Sequence, residues 1–261
     1  MSARMNEHGQ PVGEPVPGWV PRRRPEPGPF VGRHGAVVPL RTEHARELFG
    51  SCSAPGTEPL WTYLAGLAGP FPDVGSIEAA LAALVADPGS VSVAITTAGG
   101  EAGGLASYMR IDPANGSVEV GGILLGTTLR RTTAATEAMY LMARHVFEDL
   151  GYRRYEWKCD ALNTPSREAA VRLGFRYEGT HRNAVVYKGR SRNTAWFSIT
   201  DDEWPALADG YDAWLAPENF DDSGRQRRSL AEIRGERGSH PPGMPDAGTA
   251  VPHSGTRERM A

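Results

Sequence analysis

Two adjacent arginines followed by small residues form the segment of this sequence best suited to bind an anion. Arg130 and Arg131 precede a run without bulky side chains, namely Thr132, Thr133, Ala134, Ala135 and Thr136. The run opens a predicted helix, whose first backbone N–H groups lack internal partners and whose dipole is positive at this end. Small side chains let a phosphate approach those groups, and the arginines add charge. The segment therefore predicts a phosphate or diphosphate site.

A strand and a long helix are predicted on either side of this loop. Residues 118–125 read as a strand, and apolar residues recur near a 3.6-residue period from Ala135 to Phe147 until Gly151 ends the helix. The order of strand, loop and helix places the start of the helix directly after a strand. Such a junction is a common anion site.

The hydrophobic period changes repeatedly along the chain, which indicates an α/β (α+β) fold with a mixed, mostly antiparallel sheet flanked by helices. Helices are predicted at 42–49, 61–67, 77–86, 133–150, 165–173 and 201–214. Strands are predicted at 37–40, 91–97, 103–111, 117–125, 155–159, 175–188 and 194–200. We expect Thr42 to cap the first helix and Ser76 to start the third. The three strands from 91 to 125 are separated by turn signals, which favours a meander.

Both ends of the sequence are predicted to be disordered tails. Residues 1–34 are rich in proline and arginine, and residues 221–261 contain almost no large apolar side chains. The folded domain is therefore expected at 35–220. A net charge of −3 does not suggest a nucleic-acid or membrane-surface binder. Two distant cysteines and the lack of a long apolar run suggest a cytoplasmic protein without a structural metal.

Two motifs in this order resemble the GNAT N-acetyltransferase superfamily, and in particular its RimJ/RimL-type branch of ribosomal-protein alanine acetyltransferases. The diphosphate loop of that family reads Q/R-x-x-G-x-G/A, and residues 130–135 fall on it with Thr133 in place of the first glycine. Residues 163–166 (Asn-Thr-Pro-Ser) and 172–175 (Arg-Leu-Gly-Phe) resemble the family's N-x-x-S and R/K-L-G-F segment. The resemblance spans roughly residues 37–204.

The resemblance implies acetyl-CoA as the acyl donor and an amine as the acceptor. It implies cofactor contacts along the loop and the second motif, from Leu129, Arg130, Arg131, Thr132, Thr133, Ala134, Ala135, Thr136, Asn163 and Ser166. In that family the asparagine and the residues after it face the pantetheine arm. No metal is expected, and the protein is expected to act as a monomer or homodimer.

Direct attack of a neutral amine on the thioester requires a base for the ammonium form of the acceptor and stabilisation of the departing thiolate. Glu119, in the strand before the loop, is the candidate base, because family members often carry a carboxylate there. Many relatives place a tyrosine four residues before the glycine of L-G-F, but this chain has Ala170. Ser166 is therefore the candidate acid, by resemblance to the alanine-acetylating enzymes.

Each of these residues also has a structural interpretation. Glu119 would pair with a neighbouring cation, Asn163 would cap the helix that follows, and Ser166 would be an ordinary first-turn serine. The arginines would be a solvated pair in a turn. The alternative function is a catalytically weak sensor or scaffold that binds acyl-CoA, which the absence of the tyrosine motivates. Whether the acceptor is a small molecule or a peptide N terminus stays open.

Overall fold

The computed structural model describes residues 4–235. A two-stranded hairpin, Arg4–Met5 (β1) and Pro11–Val12 (β2), precedes a central sheet of eight strands. In chain order the strands of the sheet are Phe30–Val31 (β3), Gly35–Pro39 (β4), Val91–Thr97 (β5), Ala102–Asp112 (β6), Ser117–Leu125 (β7), Arg154–Asp160 (β8), Arg176–Tyr187 (β9) and Arg190–Thr200 (β10). The α-helices are Ala45–Cys52 (α1), Val74–Ala86 (α2), Thr133–Arg144 (α3), Thr164–Arg172 (α4), Trp204–Leu215 (α5) and Leu230–Ile233 (α6).

Shorter helical turns complete the described chain. Residues Thr42–His44, Glu58–Trp61 and Pro217–Asn219 form 3-10 turns, and His145–Asp149 forms a π-helical turn that extends α3.

The strands lie in the order β3-β4-β5-β6-β7-β8-β10-β9. Neighbouring strands are antiparallel except β7 and β8, which are parallel because α3 connects them as a crossover. The predicted α/β fold class, with a mostly antiparallel sheet flanked by helices, is confirmed. The predicted meander of β5, β6 and β7 is also confirmed.

Two apolar clusters cover the two faces of the sheet. One includes Val120 of β7, Met142 of α3 and Trp204 of α5. The other includes Leu48 of α1 and Ile77 of α2. The second cluster joins α1 and α2 to strands β4 to β7 and does not extend to the outer strands. On that face of the sheet, β8, β10 and β9 therefore carry polar side chains.

Three local predictions, one of a helix and two of helix starts, were wrong. No helix forms at 61–67, because Trp61 turns inward, donates its indole N–H to the carbonyl of Cys52 (2.8 Å) and packs against Gly69. Thr42 does not cap α1, which begins at Ala45 after a 3-10 turn. Asp73, not Ser76, caps α2, since its carboxylate accepts the Ser76 amide (2.7 Å).

Part of the predicted N-terminal tail, residues 1–34, is not disordered in the structure. It packs onto the domain. The indole of Trp19 donates to the carbonyl of Ala114 (2.8 Å), and Arg24 donates to the carbonyl of Pro88 (2.7 Å). The amide of Glu26 donates to the buried ring of His145 (3.2 Å). Composition suggested disorder because prolines remove backbone donors, but the remaining donors of this extended segment find acceptors on the domain.

The predicted C-terminal tail also begins within described structure. Residues 221–235 include α6, whose Leu230 is buried, and Arg234 donates to the carbonyl of Arg172 (2.6 Å). The rest of that predicted tail, residues 236–261, lies outside the described residues. Within residues 4–235, no helix combines the length and apolarity needed to cross a bilayer.

Candidate active site

The central feature of the candidate site is an opening between β7 and β8. Their parallel pairing ends at Val120 opposite Trp157, although β7 continues to Leu125 and β8 to Asp160. A register shift against β6 and a positive φ of 59° at Gly122 mark the point where β7 departs from its neighbour. Residues 121–125 and 158–160 therefore form the two edges of what we call the β7–β8 opening.

The loop after β7 is anchored to α1 and β6. The amide of Thr127 donates to the carbonyl of Ser51 (2.9 Å), and the amide of Gly126 donates to the carbonyl of Gly103 (2.9 Å). The buried Ser51 hydroxyl lies 2.9 Å from the hydroxyl of Thr128. These contacts fix the path by which the chain reaches the start of α3.

The start of α3 keeps unpartnered backbone donors. Thr132 is the cap, and its hydroxyl accepts the Ala135 amide (3.2 Å) while donating to the carbonyl of Leu129 (2.8 Å). The amides of Thr133 and Ala134 have no acceptor among residues 4–235, as the geometry of a helix start dictates. This end of the helix therefore has the free donors that the sequence predicts.

The side chains around these amides differ in exposure. Arg130 and Arg131 are exposed, and Arg131 has a left-handed backbone with φ of 60°. Leu129 is fully buried in the core, so its side chain contributes to packing. Ala134, Ala135 and Thr136 are buried, and the Thr136 hydroxyl accepts a hydrogen bond from Arg172 (3.2 Å).

Asn163 and Ser166 open the helix that follows β8. The Asn163 side-chain oxygen accepts the Ser166 amide (3.2 Å), so the capping interpretation of this residue is confirmed. The Asn163 NH2 group has no acceptor within the described chain. The indole of Trp157 donates to the Ser166 hydroxyl (3.1 Å), which leaves the hydroxyl proton available for donation.

Glu119 is buried and paired with a cation. Its Oε2 atom lies 2.6 Å from Nζ of Lys158 on β8 and 3.6 Å from Nε of Arg110 on β6. Burial raises the pKa of the Glu119 carboxyl, while the two cations oppose that rise. Lys158 also lies 4.6 Å from the ring centroid of Trp196. Because Lys158 is the first β8 residue beyond the paired stretch, the ion pair sits at the apex of the β7–β8 opening.

A cleft of about 430 Å³ lies at the end of β8. We call it the β8 cleft, and its lining residues are Glu58, Trp61, Thr62, Tyr63, Gly69, Pro70, Asp160, Leu162, Tyr187, Lys188, Arg190 and Ser191. Tyr187 donates its hydroxyl to Asp160 (2.8 Å), and Lys188 donates to the carbonyl of Trp61. Burial, followed by the Asp160 carboxylate, raises the pKa of Tyr187 to about 12. The hydroxyl is thus a donor at neutral pH.

Lys158, Asp160 and the β9–β10 turn were not identified from the sequence as parts of the candidate site. The polar positions of β8 alternate as Glu156, Lys158 and Asp160, which predicts that they share a face. That pattern does not show which strands lie beside β8. No group of three or more His, Cys, Asp or Glu side chains arranged to hold a metal ion occurs in the described part of the chain.

Comparison with known proteins identifies the class to which this fold and site belong. Residues 36–176 match the family model of the acetyltransferase (GNAT) domain, and the chain belongs to this family of acyltransferases. The predicted superfamily is confirmed. No curated protein matches the chain in sequence.

Solved structures of the family share this fold. A GCN5-related N-acetyltransferase from Brucella melitensis is 44% identical over 84% of this chain and 100% of its own, with a TM-score of 0.81. A probable GNAT acetyltransferase from Chromobacterium violaceum is 34% identical over 75% of this chain and 98% of its own, with a TM-score of 0.68. Mycobacterium smegmatis RimJ in complex with CoA-disulfide is 22% identical over 69% and 88%, with a TM-score of 0.58, and shows the fold alone.

Proposed function

We propose that this protein transfers the acetyl group of acetyl-CoA to a primary amine by direct attack in a ternary complex. The observation that carries the proposal is the free donor end of α3 beside the β7–β8 opening. The diphosphate of CoA binds the amides of Thr133 and Ala134, and Arg130 and Arg131 supply charge. The pantetheine arm enters the opening, where the NH2 group of Asn163 is available as a donor.

The acceptor amine approaches from the polar face of β8 and from the β8 cleft. Glu119, ionised beside Lys158, takes the ammonium proton of the acceptor directly or through one water. The neutral nitrogen then attacks the thioester carbon and loses its second proton to solvent water, and the C–S bond breaks as the C–N bond becomes the amide. The thiolate leaves and takes a proton from the Ser166 hydroxyl, which regains one from solvent. Holding both reactants in line supplies on the order of 7–11 kcal/mol of the barrier reduction.

The proposal also covers the location, acceptor class and oligomeric state of the protein. It acts in the cytoplasm on a small molecule or peptide N terminus, as a monomer or homodimer. Membership of the RimJ/RimL-type branch remains part of the proposal, supported by the motif at residues 163–175.

The alternative is a protein that binds acyl-CoA as a sensor or scaffold and turns over slowly, which Ala170 favours because the usual tyrosine is absent. Thiol release from acetyl-CoA across a panel of amines and N-terminal peptides, combined with a CoA titration, separates the two. Amine-dependent release supports transfer. Saturable CoA binding without release for any amine supports the sensor and contradicts the proposal.

A further inference from the structure

Trp157 lies at the apex of the β7–β8 opening, on the face of the sheet that α3 covers. It is the partner of Val120 in the last pair of β7 and β8. Because successive residues of a strand point to opposite faces, this pair faces the core, and Glu119 and Lys158 face the polar side. The apex therefore separates an ion pair on one face of the sheet from an indole ring on the other.

Ser166 connects this indole to the proposed chemistry. The Trp157 N–H donates to the Ser166 hydroxyl (3.1 Å), the group proposed to protonate the departing thiolate. In that role the hydroxyl must come within hydrogen-bond distance of the thioester sulfur, and the acyl carbon is bonded to that sulfur. The acyl group of the donor is thus placed next to the Trp157 ring.

A small apolar cavity adjoins the same ring. Its volume is about 10 Å³, which is room for about one group of the size of a water molecule or a methyl. Val120 and Trp157 form its wall toward the sheet, and its other walls include Met139 of α3 and Trp204 of α5. Trp157 is therefore shared between the cavity and the opening.

The geometry of the apex limits where an acyl chain longer than acetyl can extend. In the plane of the sheet, the chain meets the paired backbones of Val120 and Trp157. On the polar face it would cover the Glu119 carboxylate and its cation with apolar groups, which is unfavourable because both lose water contacts. The remaining direction leads into the core, where the indole ring occupies the space.

We infer that Trp157 sets the acyl-chain length of the donor, so that the protein uses acetyl-CoA and rejects butyryl and longer chains. This inference rests on the proposed function and specifies its donor. The ring is held by the Ser166 hydroxyl and by packing against Phe175, with ring centroids 5.6 Å apart. A ring fixed on both sides in a close-packed core resists the added volume of a longer chain.

The test compares acetyl-CoA with butyryl-CoA as donors, using the amine that gives the fastest thiol release with acetyl-CoA. We expect the wild-type kcat/KM to be at least about tenfold higher for acetyl-CoA, the discrimination that an apolar pocket shows against a change of one methylene. Trp157→Phe shortens the ring and joins the opening to the cavity, so this ratio should fall toward one. Loss of the N–H bond to Ser166 affects both donors alike and cancels in the ratio.

Trp204→Phe is the matched control. It makes the same change on another wall of the cavity and also removes an indole hydrogen bond, the one to Glu148 (2.9 Å). The acetyl-to-butyryl ratio should stay at its wild-type value, because Trp157 still closes the opening. Val120→Ala widens the passage from the β7 side and should lower the ratio by a smaller factor. It carries the test if circular dichroism shows that Trp157→Phe does not fold.

The outcomes that overturn the inference differ in what else they reject. Equal or better use of butyryl-CoA by the wild type, an unchanged ratio in folded Trp157→Phe, or an equal fall in Trp204→Phe rejects Trp157 as the determinant of chain length. Each of these leaves the acetyltransferase proposal intact. Absence of thiol release from acetyl-CoA with every amine, in a protein that binds CoA, rejects both.

Discussion

Lys158 and Glu119 form an ion pair of 2.6 Å across β7 and β8, at the point where these strands separate. Both side chains are largely buried, with 14% and 8% of their surfaces exposed, so solvent screens the pair weakly. The carboxylate is thereby oriented at the apex of the opening. Its pairing with a cation, one of the structural interpretations of Glu119, is observed, and this pairing is compatible with service as a base.

The Lys158→Met substitution tests the role of that pair. Burial already raises the pKa of Glu119, and removal of the Lys158 ammonium takes away the main opposing influence, so the pKa rises further. In the proposed mechanism the ionised carboxylate is the base, so activity is expected to fall as pH drops through this pKa. The acidic limb of the pH–rate profile should therefore move upward by about 1–3 units.

Two further variants make this test specific. Lys158→Arg keeps the charge and should hold the limb close to its wild-type position, and Glu119→Gln should remove the limb and lower kcat more than CoA affinity. A limb that stays in place in Lys158→Met would show that another group titrates.

The Arg130→Glu substitution tests the diphosphate site. It replaces a charge-assisted donor with a repulsive carboxylate, and one such bond contributes about 1.5–3 kcal/mol. CoA affinity should fall by at least about tenfold, with a weaker salt dependence. Arg46→Glu, the same charge reversal at an exposed position of α1, is the control for isothermal titration. An unchanged dissociation constant in Arg130→Glu would remove this residue from the site.

Two substitutions of Asn163 distinguish its role as a helix cap from its proposed role in cofactor binding. Asn163→Ala removes the acceptor of the Ser166 amide and should lower the free energy of unfolding by about 1 kcal/mol. Asn163→Asp keeps that acceptor but loses the NH2 donor, so stability should be retained while CoA binds more weakly. Denaturant unfolding and CoA titration of both variants check this. Wild-type CoA affinity in Asn163→Asp would leave Asn163 with the cap alone.

Truncation tests the N-terminal boundary of the domain. Deletion of residues 1–18 should leave Tm nearly unchanged, because the anchoring contacts begin at Trp19. Deletion of residues 1–34 also removes the contacts of Trp19, Arg24 and Glu26, at about 1 kcal/mol each, and should lower Tm by on the order of 5 °C or more. Equal Tm values for the two truncated proteins would support the disordered tail that composition suggested.

The fold could be predicted from the sequence where the pattern is local. The long apolar stripe of α3 and the turn signals between β5, β6 and β7 are properties of contiguous residues, and both predictions are confirmed. The loop at residues 126–132, before α3, was predicted in the same way. The helix expected at 61–67 was wrong because the burial of Trp61 against Gly69 depends on tertiary packing, which overrides local propensity.

The candidate site was predicted only in part, because its key contacts join distant segments. The alternation of β8 places Lys158 on a polar face, but only the sheet order brings it beside Glu119. The Asp160–Tyr187 bond depends on β10 lying between β8 and β9, which no spacing in the sequence specifies. The contacts of the N-terminal segment were missed for the same reason.

The proposed diphosphate site is tested most directly by the amide chemical shifts of Thr133 and Ala134 during titration with CoA and, separately, with pantetheine, which lacks the diphosphate. We expect large, saturable shifts of both amides with CoA and small ones with pantetheine. Shifts confined to other parts of the protein, or equal responses to the two ligands, would contradict the binding of the CoA diphosphate at the start of α3.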